Sequence, residues 1–295
     1  AYVFERRDCK SKKECIENLT GVINQINMKK KKNIILNDDT TNIICEDFNN
    51  IKENIDISEY VMYDRFDKAR NAMLESIRHN KGIGTLSEKT VHGMFKLFYE
   101  PDEDKHEVAV DGYFADICNE NGIIEIQNGN FNKIRDKLMI FLNHYPVTVV
   151  YPLPYNKRLS LIDKDTMSII KRRKSPKHYS EYDAFYELYK IKDMLSAPNL
   201  SIQFVLMDVE EYRLFMGRNS RGQNESQRYD RIPVGIRSII SIEQVEDYMQ
   251  FVPYELESGF TSADFADVCG ISRQSAGMVL NILNSTGTVI RTGKR

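Results

Sequence analysis

The sequence predicts a mixed α/β protein of two main domains, and two patterns carry that expectation. Between residues 82 and 210 the apolar periodicity runs helix, three strands, helix, strand, and from about residue 240 two short helices meet at a glycine and lead into a strand. The length of 295 residues suits this division, since a domain commonly takes about 100 to 200 residues.

Residues 1–80 are polar. Helical spacing is present in Ile16, Leu19, Val22, Ile23 and Ile26, and again in Phe66, Ala69, Ala72, Met73 and Ile77. The run Lys29 to Lys32 precedes a short strand candidate at 33–36, and it reads as a solvated helix end whose charges suit the carboxyl end of the dipole. No catalytic motif falls in this region.

The regular pattern starts near Gly82. A helix is expected over 87–100, because Val91, Met94, Phe95 and Phe98 share a face and Pro101 ends it. Strands are expected at 106–110, 113–118 and 122–127, joined by Asp111-Gly112 and by Asn119-Glu120-Asn121-Gly122, both hairpin-turn sequences. A helix over 130–143 turns Ile134, Leu138 and Phe141 inward, and the β-branched run 147–150 is the next strand. A helix over 180–196 and a strand over 202–207 complete the first domain, 81–215. Residues 216–231 have almost no large apolar groups and predict a flexible linker or exposed loop, so 216–239 is set as the boundary before a second domain, 240–295. There Ser262 is expected to cap one helix, Gly270 to make the turn and Ser272 to cap the next, with Ala266, Val268, Ile271, Ala276, Val279 and Leu283 as a small core. A strand from Thr288 follows, as in a winged helix-turn-helix.

Composition narrows the function classes. Lys and Arg number 41 against 43 Asp and Glu, so total charge gives no argument for nucleic acid or an anionic membrane. Apolar residues at 41% and charged residues at 28% exclude a disordered or fibrous chain. No apolar run is long enough to cross a bilayer, so no membrane partner is expected. The first residues do not form a secretory leader, and five scattered cysteines suit reduced thiols, which together predict a cytoplasmic protein. Cys9 and Cys15 lack a second ligand pair at zinc spacing. Local charge is a different matter: residues 157–178 hold eight basic residues and two acidic ones.

The chemistry-bearing residues lie on the hairpin. Asp116 ends one strand, and Glu125-Ile126-Gln127 follow on the next, where alternation sets Glu125 and Gln127 on one face. Two carboxylates from adjacent strands repel unless they are solvated or hold a cation, for which magnesium is the economical choice.

This order and these residues resemble the PD-(D/E)XK nuclease superfamily, the restriction-endonuclease-like fold, over roughly residues 82 to 210. The resemblance implies Asp116 and Glu125 as metal ligands, the Ile126 carbonyl as a further ligand, and Gln127 in the position of the superfamily's lysine. Mg2+ is the implied cofactor, with Mn2+ as a substitute. The chain departs from the pattern at Ala115, where the superfamily has Pro, and at Gln127. Gln can orient a water but carries no charge and takes no proton, which leaves Lys133 or Lys137 as stand-ins. Glu88 fits a further acidic position on the first helix, although a first-turn Glu also complements the helix dipole. His92, one turn later, reads as a structural histidine.

Two basic features could carry DNA. Lys171, Arg172, Arg173, Lys174 and Lys177 can contact phosphates without reading sequence. The tyrosines nearby, 182, 186 and 189, read as a core-facing helix stripe with Phe185. Arg273 and Gln274 open the second C-terminal helix and Arg291 lies in the wing, as groove-reading positions do in helix-turn-helix proteins. The expectation is a Mg-dependent deoxyribonuclease with a winged-helix DNA-binding domain, and double-strand cutting would call for a homodimer. The alternatives are a catalytically inactive nuclease fold acting as a DNA-binding or regulatory protein, and a protein-interaction module built on the winged helix.

Overall fold

The computed structural model describes residues 2–6, 57–79, 89–222 and 224–294. The expectations for 16–26, Lys29 to Lys32, the strand at 33–36, Cys9, Cys15, Cys45, Ser87 and Glu88 lie outside the described residues. The chain divides into one compact unit of Ala1–Glu5 with Tyr63–Arg295 and a second of Arg6–Met62.

In chain order the elements are β1 (Tyr2–Arg6), α1 (Ile57–His79), α2 (Lys89–Tyr99), β2 (His106–Val110), β3 (Tyr113–Asn119), β4 (Gly122–Ile126) and α3 (Arg135–Phe141). They continue with β5 (Val147–Ile162), β6 (Ile169–Lys174), β7 (Leu200–Arg218), β8 (Asn224–Ile242), β9 (Phe260–Thr261), α4 (Ser262–Cys269), α5 (Arg273–Ser285) and β10 (Val289–Lys294). The fold is mixed α/β. Its seven-stranded sheet runs β2-β3-β4-β5-β7-β8, with β6 paired to β5, and a small sheet runs β10-β1-β9. Strands β4, β5 and β7 are parallel to one another, and the outer pairs are antiparallel. No helix among the described residues is long and apolar enough to cross a membrane.

Helix α2 buries Val91, Met94, Phe95 and Phe98, the stripe its spacing predicts, and Phe66 and Ala69 of α1 are buried too. Arg65 of α1 donates to the carbonyls of Phe98 at 2.6 Å and Tyr99 at 3.2 Å, which satisfies carbonyls at the end of α2. The turn between β2 and β3 takes Asp111 and Gly112 through φ values of 47° and 85°, as a two-residue hairpin requires. At the start of β4, Gly122 has φ 119°, and a Cβ there would meet the Pro146 carbonyl oxygen at 2.4 Å.

Several elements differ from the sequence expectation. The strand begun at Val147 continues to Ile162, through Pro152 and Pro154. On that edge β4 pairs only as far as Val150 and β6 only from Arg158, so the prolines sit where the ladder has no partner to lose. The expected linker is the far half of a hairpin: β7 runs to Arg218 and β8 returns from Asn224, paired with β7 along its length with several register shifts. Polar residues dominate there because, Asp230 apart, the described residues of 212–231 are half-buried or exposed, and an exposed two-stranded ribbon has a loop's composition. The helix expected over 180–196 is three short helical segments, Glu181–Ala184, Phe185–Leu188 and Tyr189–Met194, with non-helical backbone at Ile191. The helix expected from Asn130 starts as a single turn, Phe131–Lys133, before α3.

The hydrophobic core is continuous from the sheet into the C-terminal helices. Tyr182 packs on Phe265 at 5.9 Å and Phe185 on Phe251 at 5.0 Å between ring centres. Tyr186 and Tyr189, by contrast, are exposed rather than core. Helix α4 is capped by Thr261, not Ser262, in a reciprocal box with Asp264. Gly270 ends that helix in the left-handed region, and Ser272 caps α5 as expected. Of the predicted core positions there, Ala266, Ala276, Val279 and Leu283 are buried, whereas Val268 is 45% exposed. Cys118 and Cys269 are free thiols.

Candidate active site

The pairing of β3 with β4 runs from Asn119↔Gly122 to Ile117↔Ile124. Counting one residue further places Asp116 opposite Glu125. There side chains replace the backbone ladder: the Ile126 amide donates to Asp116 Oδ2 at 2.7 Å, and the Asp116 amide donates to Glu125 Oε1 at 3.3 Å. Both carboxylates are buried in this wedge, Glu125 at 2% exposure. Strand β5 holds β4 in place from the other side, Glu125 pairing with Val149.

Each carboxylate has its own cation or donor. Glu125 Oε2 lies 2.6 Å from Lys137 Nζ on α3, and Lys137 also donates to the Phe114 carbonyl at 2.6 Å. Burial, and then the neighbouring Asp116 charge, push Glu125 up to about 8, with Lys137 opposing both. Asp116 Oδ1 lies 3.3 Å from His92 Nε2 on α2. Burial works against the Asp116 charge, but the bond and charge of His92 and the Ile126 amide outweigh it and hold that carboxyl below its ordinary range. The environments therefore split two facing carboxylates into an acid that ionises readily and one that resists ionisation.

A third strand adds a carboxylate that the sequence reading missed. Ligand atoms of His92, Glu107 and Asp116 all lie within 4.8 Å of one another. Glu107 is on β2, and the pairs His106↔Ile117 and Val108↔Ala115 put it opposite Asp116. Its backbone has φ 50°, an uncommon state for a non-glycine residue inside a strand. Lys96 Nζ, one turn along α2 from His92, reaches Glu107 Oε1 at 2.5 Å. The signal for Glu107 was present: a two-residue turn at Asp111-Gly112 pairs Val110 with Tyr113, and counting outward reaches Glu107 and Asp116.

His92 and Glu107, which adjoin Asp116, line a cleft of about 830 Å3 together with Lys96, Gln127, Asn128 and Lys133, among others. Gln127 sits at its wall, but its amide nitrogen donates to the carbonyls of Gly129 at 2.5 Å and Asn130 at 3.4 Å, which fixes the loop after β4. Ile126 also lines the cleft. The donor set, one imidazole nitrogen and two carboxylates, suits a divalent cation.

A family model matches residues 89–243, more than half of the chain. The chain belongs to the family described as a domain of unknown function, DUF8091. The matched segment opens at α2 and ends just past β8, so the DUF8091 region contains His92, Glu107, Asp116, Glu125 and Gln127. The chain is also similar to an uncharacterized protein of Treponema pallidum (strain Nichols), 25% identical over 167 residues. That alignment covers 56% of this chain and 64% of the relative's length. No solved structure matches the chain.

Within the DUF8091 region, Lys171, Arg172, Arg173 and Lys174 lie on the exposed strand β6. Arg172 is engaged by Glu210 at 3.1 Å and by Ser160 Oγ at 3.2 Å. Lys177 stacks its ammonium 4.2 Å over the Tyr179 ring. Arg273 and Gln274 are exposed at the start of α5, and Arg291 is exposed on β10. None of these basic residues is among those lining the cleft at Asp116.

Proposed function

We propose that this DUF8091 protein is a metal-dependent endonuclease that hydrolyses DNA phosphodiester bonds. The observation that carries the reading is the meeting of Asp116, Glu107 and His92, with His92 and Glu107 lining a cleft. They are set there by the order α2, β2-β3-β4, α3, β5, which is similar to the PD-(D/E)XK core. Asp116 and Glu107 would hold the cation with His92. A divalent ion at such a site supplies Lewis-acid stabilisation of phosphoryl charge and a more acidic bound water. An imidazole in the set favours Mn2+ over Mg2+, because magnesium prefers all-oxygen ligands.

The remaining residues hold geometry and charge. Lys137 brings to Glu125 the positive charge that Gln127 lacks, reaching from the helix rather than from the strand. Glu125 in turn keeps the Asp116 backbone in place through its amide. Gln127 fixes the loop 127–130 that forms one wall of the cleft. The pair α4–α5 with β10 supports a winged-helix DNA-binding role for Arg273, Gln274 and Arg291, whose exposure leaves them open to a duplex.

The test is nicking of supercoiled plasmid in Mn2+ or Mg2+, with Asp116→Ala plus His92→Ala as the control. Metal-dependent nicking lost in the control supports the reading, and nicking that survives in it removes this site from the chemistry. One observation favours a second reading, a nuclease fold retained for DNA binding or regulation alone: the Gln127 amide is committed to loop carbonyls. Salt-dependent DNA binding without any nicking would select it.

A further inference from the structure

A second cluster of charge lies on the long arm of the sheet, away from the residues lining the Asp116 cleft. A pocket of about 360 Å3 is lined by Lys157, Lys171, Arg173, Arg213 and Glu211, with Leu159 and Leu161 beneath. Four cations face one carboxylate, and that carboxylate is buried at 2% exposure. Glu211 acts as an internal organiser: Arg213 lies 2.8 Å from its Oε1, and Arg231 at 2.9 Å and Lys157 at 3.7 Å from its Oε2. Arg213 is locked further by Ser226, through Oγ at 2.9 Å and the carbonyl at 3.0 Å. A guanidinium held on two sides is pre-positioned for an oxyanion on its remaining donors.

The strand β6 sorts its charges by face. Lys171 pairs with Leu161 and Arg173 with Leu159, so both turn to the pocket, whereas Arg172 pairs with Ser160 and is neutralised by Glu210. Among the described residues, the side chains of Lys171 and Arg173 have no hydrogen-bond or ion-pair partner. Cations of one sign gathered around a concavity focus the field and raise the local concentration of anions. The pocket is also linked to the candidate active site. Arg231, which is bonded to Glu211, lines a small cleft of about 130 Å3 with Asn128, Pro152, Pro154, Tyr179 and Arg228, and Asn128 also lines the cleft of His92 and Glu107.

We propose that the pocket of Lys157, Lys171, Arg173 and Arg213 seats a backbone phosphate of a DNA strand that crosses the Pro152–Pro154 gap from the Asp116 cleft. The course of the strand rests on the endonuclease reading; the phosphate seat itself does not. It narrows the basic run of β6 to one face, with Lys171 and Arg173 as contacts and Arg172 as a strut.

The experiment is fluorescence anisotropy with a labelled DNA duplex and its single strand, in EDTA so that no cleavage intervenes. Lys171→Gln plus Arg173→Gln is compared with Arg172→Gln, all on an exposed strand, with circular dichroism confirming the fold. The double variant should bind roughly tenfold more weakly at low salt, with a log–log salt slope flatter by about one phosphate, while Arg172→Gln stays within about twofold. Equal losses in the two variants, an unchanged double variant, or no DNA binding by the parent protein would each overturn the proposal. Binding of pyrophosphate without DNA would do the same for its nucleic-acid form. Binding that behaves as expected, beside a parent protein that never nicks plasmid in Mn2+, would defeat the endonuclease reading and leave the seat standing.

Discussion

Lys137 Nζ lies 2.6 Å from Glu125 Oε2, and the pair is enclosed, at 15% and 2% side-chain exposure. Removing the lysine would leave a buried carboxylate without its cation, the costly half of a broken buried pair. Lys137→Met should lower unfolding free energy by roughly 3 kcal/mol above about pH 8, where Glu125 is ionised, and by less at neutral pH. Adding Glu125→Gln should recover part of that loss. Urea unfolding of the three variants measures it, and a Lys137→Met loss below about 0.5 kcal/mol would show that the pair carries no such weight.

Cation binding at His92, Glu107 and Asp116 should be visible as stability. A ligand that binds only the folded state at a hundred times its dissociation constant adds about 2.7 kcal/mol. Mn2+ should therefore raise the melting temperature of the parent protein by several degrees, more than Mg2+ does, and leave Asp116→Ala unmoved. A shift of equal size in Asp116→Ala would place the cation elsewhere.

Asp230 is buried on β8, where its Oδ2 accepts from Thr90 Oγ1 at 3.0 Å and its Oδ1 from the Arg231 amide at 2.7 Å. Burial dominates these two bonds and raises its carboxyl to about 6. A raised carboxyl binds its proton more tightly in the folded state, so stability is greatest below the unfolded value and declines as pH rises through 6. Asp230→Asn should flatten that decline between about pH 4 and pH 6 and gain on the order of 1 kcal/mol at pH 7, discounted for partial solvation. Denaturation curves at three pH values test it, and an unchanged slope would contradict the assignment.

Gly122 combines φ 119° with a Cβ position 2.4 Å from the Pro146 carbonyl oxygen, the acceptor for the Ile123 amide. Gly122→Ala must strain the backbone and push β4 away from β5. A loss of roughly 3 kcal/mol or more is expected, larger than for Gly112→Ala, where a Cβ would meet open space. Thermal unfolding of the two variants side by side decides it, and equal losses would show that φ alone matters.

Much of the fold was legible because local backbone physics wrote it. Asp111-Gly112 and the chain around Gly122 mark hairpins, Pro101 ends a helix, and Gly270 and Ser272 punctuate the two C-terminal helices. The hairpin turns even carry the cross-strand partners, since counting outward from each reaches Glu107, Asp116 and Glu125. The strands β5 and β7 were shortened in the sequence reading, and nearly all of β8 was taken for a linker. Their outer halves pair backbone to backbone with little burial, so no alternation of apolar residues announces them.

The sequence by itself determined the order of elements from α2 to β5, the turn positions, the carboxylates Asp116 and Glu125 on neighbouring strands, and the helix pair after residue 260. Only the tertiary structure decided which groups meet those carboxylates. His92 and Lys137 come from two different helices. The reason is that turns, caps and strand alternation act over a few residues, whereas helix docking is set by non-directional burial across the whole sheet.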